Sequence, residues 1–265
     1  MNKENVIKKV RTILYIAITV LSMLIIWQIA YAICDNDLVV PSVNQTINRV
    51  FELLGSESFY LAFGMTLVRA VVAFMLAVVF AVALFVLSKT CEYMKVFCNT
   101  IVKVLRSIPT IAIILSILIL TSSQIAPIFV AILVIMPIIY AGMCSFSVGI
   151  DIKNVCYVYK ISKKDYIKFI YLPKAQKDLL PIFSSSISLN LKIIVASEVL
   201  ANTYQSIGGL MQENKVYFDM SGLIALALVT IVTATVLEKI VGAFKYFKFK
   251  VEDTKESSID YKRGN

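Results

Sequence analysis

Apolar residues gather in six stretches along the chain, and short polar intervals separate them. Residues 13–33, 67–87, 125–146, 179–201 and 222–242 each read as a helix long enough to cross the roughly 30 Å hydrocarbon layer of a bilayer. A sixth stretch, 108–120, ends in Thr121-Ser122-Ser123-Gln124, which predicts a tight external turn between spans three and four. Residues 35–65 are mixed in character; Pro41-Ser42 opens a short helix over 43–54, lying flat on the outer surface, and Gly55 ends it. Pro127 falls near a helix start, where its missing N–H is harmless, whereas Pro137 is expected to kink span four. The predicted fold is an all-α membrane protein of six transmembrane helices.

Composition agrees with this pattern. The 265 residues are 59% hydrophobic and only 16% charged, too apolar for a domain whose solvent is water. A net charge of +9 would suggest nucleic acid in a soluble protein, but the lysines and arginines fall between spans, where the positive-inside rule accounts for them. Basic residues precede span one, follow spans two and four, and fill the tail, so both termini are expected in the cytoplasm of a cell-membrane protein. The outer intervals hold only Arg49, Arg69 near a span end, and Lys215. The chain divides into residues 1–34 (cytoplasmic N-terminus and first span), 35–244 (five-span core) and 245–265 (basic cytoplasmic tail). Five cysteines and no histidine give neither a disulfide framework nor metal-ligand spacing.

The interval 151–178 is polar, yet it carries Val155, Tyr159, Ile161, Ile167, Ile170 and Leu172 on a helix-like period before Pro173, amid seven lysines. Topology requires the lysines but not those apolar residues. Short amphipathic helices held between two spans would suit a soluble partner's groove, with Ser162 and Asp165 capping one of them. No Gly-x-x-x-x-Gly-Lys-Ser/Thr run is present, and neither a nucleophile elbow nor paired intramembrane carboxylates appear. A transporter or scaffold therefore fits better than an enzyme, and no cofactor is expected.

Span five is unusually polar. Ser184, Ser185, Ser186, Ser188, Asn190, Lys192, Ser197 and Glu198 wrap most of its circumference, so it belongs at the centre of the bundle. Lys192, roughly 20 Å into the membrane at 1.5 Å per residue, lines a water-filled path and attracts an anionic substrate, or else it snorkels or forms a structural ion pair. Glu198 is the obvious counter-charge, but the two lie about 240° apart around the helix, so each reaches a different helix or they meet across a dimer seam. Glu198 is also placed to hold the Gly208-Gly209 turn or a neighbouring span. Ser188, Lys192 and Glu198 are the candidate path residues. An ion-coupled secondary transporter using Lys192 and Glu198 is the alternative to a transporter driven through 151–178.

Several motifs, taken in order, carry a resemblance: Val40-Pro41-Ser42, Thr66-Leu67-Val68-Arg69, Leu105-Arg106-Ser107-Ile108-Pro109, Leu172-Pro173, Ala196-Ser197-Glu198-Val199-Leu200 and Ile207-Gly208-Gly209-Leu210. Their order and spacing resemble the permease subunit of type I ABC importers, nearest the nitrate, sulfonate and taurine branch that includes permeases for thiamine-precursor pyrimidines. The resemblance implies a second permease copy, two cytoplasmic ATPase subunits that bind the ATP, and an external solute-binding protein. It also implies that 151–178 is the family's coupling loop, with Asn154, Val155, Cys156, Tyr159, Lys160, Ile161, Ser162, Leu172 and Pro173 at the ATPase contact. Counting back from Leu172-Pro173, the family's Glu falls on Asn154, its second Ala on Cys156 and its Gly on Lys160. Without that glycine the bend is expected to take another shape or to break at Ser162.

Overall fold

A computed structural model describes residues 3–34, 36–146 and 157–263, with the side chains of 3–10, 13, 163 and 244–263 left aside. In chain order the helices are α1 (Lys3–Cys34), α2 (Val43–Leu54), α3 (Glu57–Leu87), α4 (Glu92–Ser107), α5 (Thr110–Leu120) and α6 (Ala126–Ser145). A turn, α7 (Lys163–Asp165), then runs through a π-helical segment (Tyr166–Tyr171) into α8 (Leu172–Ala201). It is followed by α9 (Ile207–Val216) and α10 (Met220–Arg263). Every described element is helical. A bilayer demands this of an open chain, because backbone groups there find no water to bond.

Five of these segments are long and apolar enough to cross a membrane: Leu14–Cys34, Glu57–Leu87, Ala126–Ser145, Tyr166–Ala201 and Met220–Ala243. The sixth crossing differs from the sequence expectation. α5 has 11 residues, roughly 16 Å at 1.5 Å per residue, and is too short to span alone. It joins α4 at a bend of 96°, so this stretch is a broken span or a re-entrant pair of helices and not one straight crossing. Pro109 causes the bend: it cannot continue the helix, and it forces Ile108 into an extended conformation (φ −75°, ψ 129°). What the sequence presents as a basic loop after span two is thus α4, an amphipathic helix that buries Cys98 and Val102 while Lys95, Lys103 and Arg106 stay exposed. Spans two and five begin earlier than hydropathy places them, because Glu57 and the lysines near Leu172 sit at helix ends where charge reaches water. The α10 backbone stays helical beyond its apolar part, through Arg263.

α8 is the central helix, packed against α3, α5, α6, α9 and α10. α3 turns a ridge of small residues inward, Ala62, Ala70, Ala73, Ala77 and Ala81, and these let α6 approach closely. Val68, Val72, Met75, Val79 and Phe80 on the same helix are exposed, while Phe59 is buried. α6 answers with Val130, Ala131, Ile135, Ile139 and Tyr140, and the Tyr140 hydroxyl reaches Asn99 Oδ1 on α4 at 2.9 Å. Pro137 is buried inside α6.

At the end of the bundle opposite the lysines, Ser42 and Gln45 form a capping box that starts α2, and Gly55 closes it. Arg49 then bridges α2 to the start of α10, 2.8 Å from Asp219, whose other oxygen accepts from Gly222 N at 2.9 Å as an N-cap. Burial works against the Asp219 charge, but bonds from Ser221 and Gly222 N and the Arg49 cation outweigh it. The carboxyl is held below the usual range. α1 stands apart: none of its membrane-crossing window is buried, and Trp27 Nε1 donates to Pro41 O (3.0 Å), just before α2.

Candidate functional site

Glu198 has no exposed surface, and Arg69, on α3, keeps 5%. Arg69 Nη1 donates to Glu198 Oε1 at 3.1 Å, Thr66 Oγ1 donates to Oε2 at 2.9 Å, and Gly208 N donates to the same oxygen at 3.3 Å. The cluster extends from there. Arg69 Nη2 donates to Gln124 Oε1 in the α5–α6 turn at 2.6 Å, and Thr66 Oγ1 accepts from Ile207 N at 3.0 Å. Thr203 Oγ1 donates to Ser123 O at 2.8 Å. One buried ion pair therefore joins α3, the α5–α6 turn, the end of α8 and the start of α9, and its spare bonding groups are met by neighbouring backbone and side chains.

Local backbone geometry makes that closeness possible. Asn202 takes the left-handed conformation that ends α8 (φ 47°), Gln205 repeats it (φ 47°), and Ser206 caps α9 by accepting from Gly209 N at 2.8 Å. Gly208 lies against α8. A Cβ there would run into the Glu198 side chain and approach Val195 O within 2.7 Å, so no larger residue fits without moving backbone.

The rest of α8 divides cleanly. Ser184, Ser186, Ser188, Asn190, Ser197 and Glu198 are buried, and Asn190 Nδ2 donates to Ala70 O on α3 at 2.8 Å. Ser186 Oγ, Asn190 Oδ1 and Ser197 Oγ are buried without a protein partner. Pro181, Ser185, Leu189, Lys192, Ala196 and Leu200 are exposed, and at 100° per residue they fall within an arc of about 100°. Lys192 is in the middle of that stripe, with no ion pair or hydrogen bond among the described residues. Lys192 and Glu198 thus point to different surroundings.

In the interval between spans four and five, Asn154, Val155 and Cys156 lie outside the described residues. Tyr157, Val158 and Tyr159 are 86%, 73% and 76% exposed, an unusual state for three consecutive large apolar side chains. Ile161 and Ser162 are also exposed. Lys160 adopts φ 48°, and its N–H bonds to Tyr157 O at 3.2 Å, so the chain bends at Lys160 itself, with Ser162 beginning the next turn. Ser162 Oγ donates to Asp165 Oδ2 at 2.7 Å and accepts from Asp165 N at 3.2 Å. Leu172 and Pro173 follow directly as the first turn of α8. From Lys163 onward the interval runs as unbroken helix into the central helix.

No protein-family model and no curated protein matches the sequence. Among solved structures, a chain described as an amino acid ABC transporter crystallised with histidines aligns at a TM-score of 0.59 and 16% identity. The alignment covers 71% of this chain and 93% of that one. This chain shares its fold with that ABC transporter chain. Identity this low carries architecture and nothing finer, so neither the nitrate, sulfonate and taurine branch nor the histidine-associated relative assigns a solute. The sequence reading placed Arg69 near a span end and missed that it is buried. The available signal was an arginine inside an apolar helix, which in a membrane requires a partner.

Proposed function

We propose that the chain is the membrane-spanning permease subunit of an ATP-driven ABC importer, with two copies forming the path and two cytoplasmic ATPase subunits supplying the work. An external solute-binding protein delivers a small organic solute. The observation that carries this reading is the exposed apolar knob Tyr157-Val158-Tyr159 and Ile161, at the lysine-rich end of a chain with a permease fold. Such a knob is unfavourable in water and well suited to a groove in a soluble partner. Ile161 lies two residues before Lys163, from which helix runs unbroken into α8, so displacement of the knob is passed to the central helix over a short linker. The lysines set the cytoplasmic side, and six crossings return both ends of the chain there.

The geometry offers less to an ion-coupled mechanism. Among the described residues, Glu198 is the only carboxylate deep in a span, and it already lies against Arg69. Tyr159→Asp and Ile161→Asp should each abolish uptake in cells while leaving membrane insertion intact, and ATP depletion should stop uptake. Normal uptake in both variants, or uptake that survives ATP depletion but collapses with an ionophore, refutes the proposal.

A further inference from the structure

We propose that α4 is a lipid-binding helix: it lies in the cytoplasmic face of the bilayer, with Tyr93, Phe97 and Val104 among the acyl chains and Lys95, Lys103 and Arg106 holding anionic phospholipid headgroups. The proposal stands on the membrane reading alone and is independent of how transport is driven.

α5 leads through a short turn into α6, a membrane-crossing helix, and packs along it. A helix that meets α5 at 96° therefore runs close to the bilayer plane. Its depth follows from Tyr140, whose hydroxyl donates to Asn99 Oδ1 in the middle of α4 at 2.9 Å. Tyr140 is five residues before Ser145, roughly 8 Å from the end of α6 at 1.5 Å per residue, and that end opens into the lysine-rich interval. α4 is thus held at the level where hydrocarbon gives way to headgroups.

At about 100° per residue the side chains of α4 fall into three sectors, with centres roughly 100–140° apart. Met94, Cys98, Val102 and Leu105 form the first and turn to the bundle, Cys98 and Val102 being buried. Tyr93, Phe97 and Val104 form the second; they are 71%, 47% and 55% exposed, and the two rings stack with centroids 6.5 Å apart. Lys95, Lys103 and Arg106 form the third, and all are exposed. Between the apolar and basic sectors lie Val96, Thr100 and Ser107, also exposed, whose small side chains leave room for a headgroup. A helix on a protein surface in water has two media to meet, the bundle and the solvent; a separate exposed apolar sector answers a third, the acyl chains. Charge then selects the headgroup. Lys95 is shared with Glu92 at 3.3 Å, while Lys103 and Arg106, one turn apart, have no ion pair among the described residues. Neighbouring cations at this depth favour an anionic phospholipid over a zwitterionic one.

The test uses the full-length chain carrying Trp27→Phe, so that Phe97→Trp or Glu92→Trp supplies the single tryptophan. In reconstituted vesicles, acyl-chain-brominated phosphatidylcholine should quench most of the Phe97→Trp emission and aqueous iodide little of it, with the order reversed for Glu92→Trp. Native mass spectrometry of the chain carrying Phe97 and Glu92, mixed with phosphatidylglycerol and phosphatidylcholine, should show the anionic lipid bound several-fold more. The triple change Lys95→Gln/Lys103→Gln/Arg106→Gln should bring that ratio to about one. Lys103→Gln alone should remove part of the preference and Lys103→Arg should preserve it, so a poorly folded triple variant does not decide the matter. A matched neutralisation elsewhere on the lysine-rich side, Lys164→Gln/Lys168→Gln/Lys177→Gln, should leave the ratio high. Quenching of Phe97→Trp by iodide, or by neither agent, places the apolar sector against water or protein and overturns the proposal. A lipid ratio near one in the parent, or one that the matched neutralisation lowers as much as the α4 changes do, overturns it equally.

Discussion

Breaking the Arg69–Glu198 pair should cost more than any single polar contact elsewhere in the described bundle. The pair is almost wholly removed from solvent; Thr66 and Gly208 N also donate to Glu198, and Gln124 also accepts from Arg69. Glu198→Gln keeps an acceptor for Thr66 and Gly208 N but strips Arg69 of its counter-ion, leaving it Gln124 and a long contact of 3.5 Å to Gln205 O. Arg69→Met leaves a buried carboxylate with two neutral donors. Each single change leaves an uncompensated interior charge and should cost about 3–5 kcal/mol. That corresponds to a fall in unfolding temperature on the order of 10 °C. The double variant Arg69→Met/Glu198→Met removes both charges and should be far closer to the parent than the sum of the single changes. Thermal unfolding of the purified chain in detergent measures all of these. Additive losses, or single-variant losses under about 1 kcal/mol, would show that the pair does not bind α3 to α8.

Gly208→Ala should destabilise by about 1–3 kcal/mol through overpacking against α8, whereas Gly64→Ala, where a Cβ meets nothing within 4 Å, should be neutral or stabilising in the same thermal assay. Lys160→Gly should keep uptake and relieve about 1 kcal/mol of left-handed strain, while Lys160→Val should impair uptake because a β-branched side chain resists φ 48°. Asp219→Asn should keep the α10 cap but lose the bridge to Arg49, a loss held below about 1 kcal/mol because Arg49 is partly exposed. Since folding lowers the Asp219 pKa, that contribution is present above the ordinary carboxylate range and vanishes as pH falls through the lowered value. The two proteins should then converge in stability on acidification.

Much of this architecture is written locally. The α2 boundaries follow from Ser42 and Gly55, because caps act within one turn, and the five long spans follow from hydropathy alone. The elbow at Pro109 was harder to read, because an apolar run looks the same whether its first residues lie along a surface or across a bilayer; only the shortness of α5 marks it. The partner of Glu198 was out of reach for a different reason. Sequence offers Lys192 as the nearest opposite charge, but pairing is decided by which helices touch, and α3 brings Arg69 from 129 positions away. Lys160 shows the converse. Its residue type argues against a bend, yet the chain bends there.

The account depends most on the knob at the lysine-rich end being the point where work enters. Incorporation of a photoreactive phenylalanine analogue at position 159 of the full-length chain, followed by irradiation of intact membranes and mass spectrometry of the adduct, tests this directly. The expected product is this chain linked to a cytoplasmic subunit carrying a P-loop ATP-binding motif. An adduct only with lipid or with an extracytoplasmic protein would contradict it.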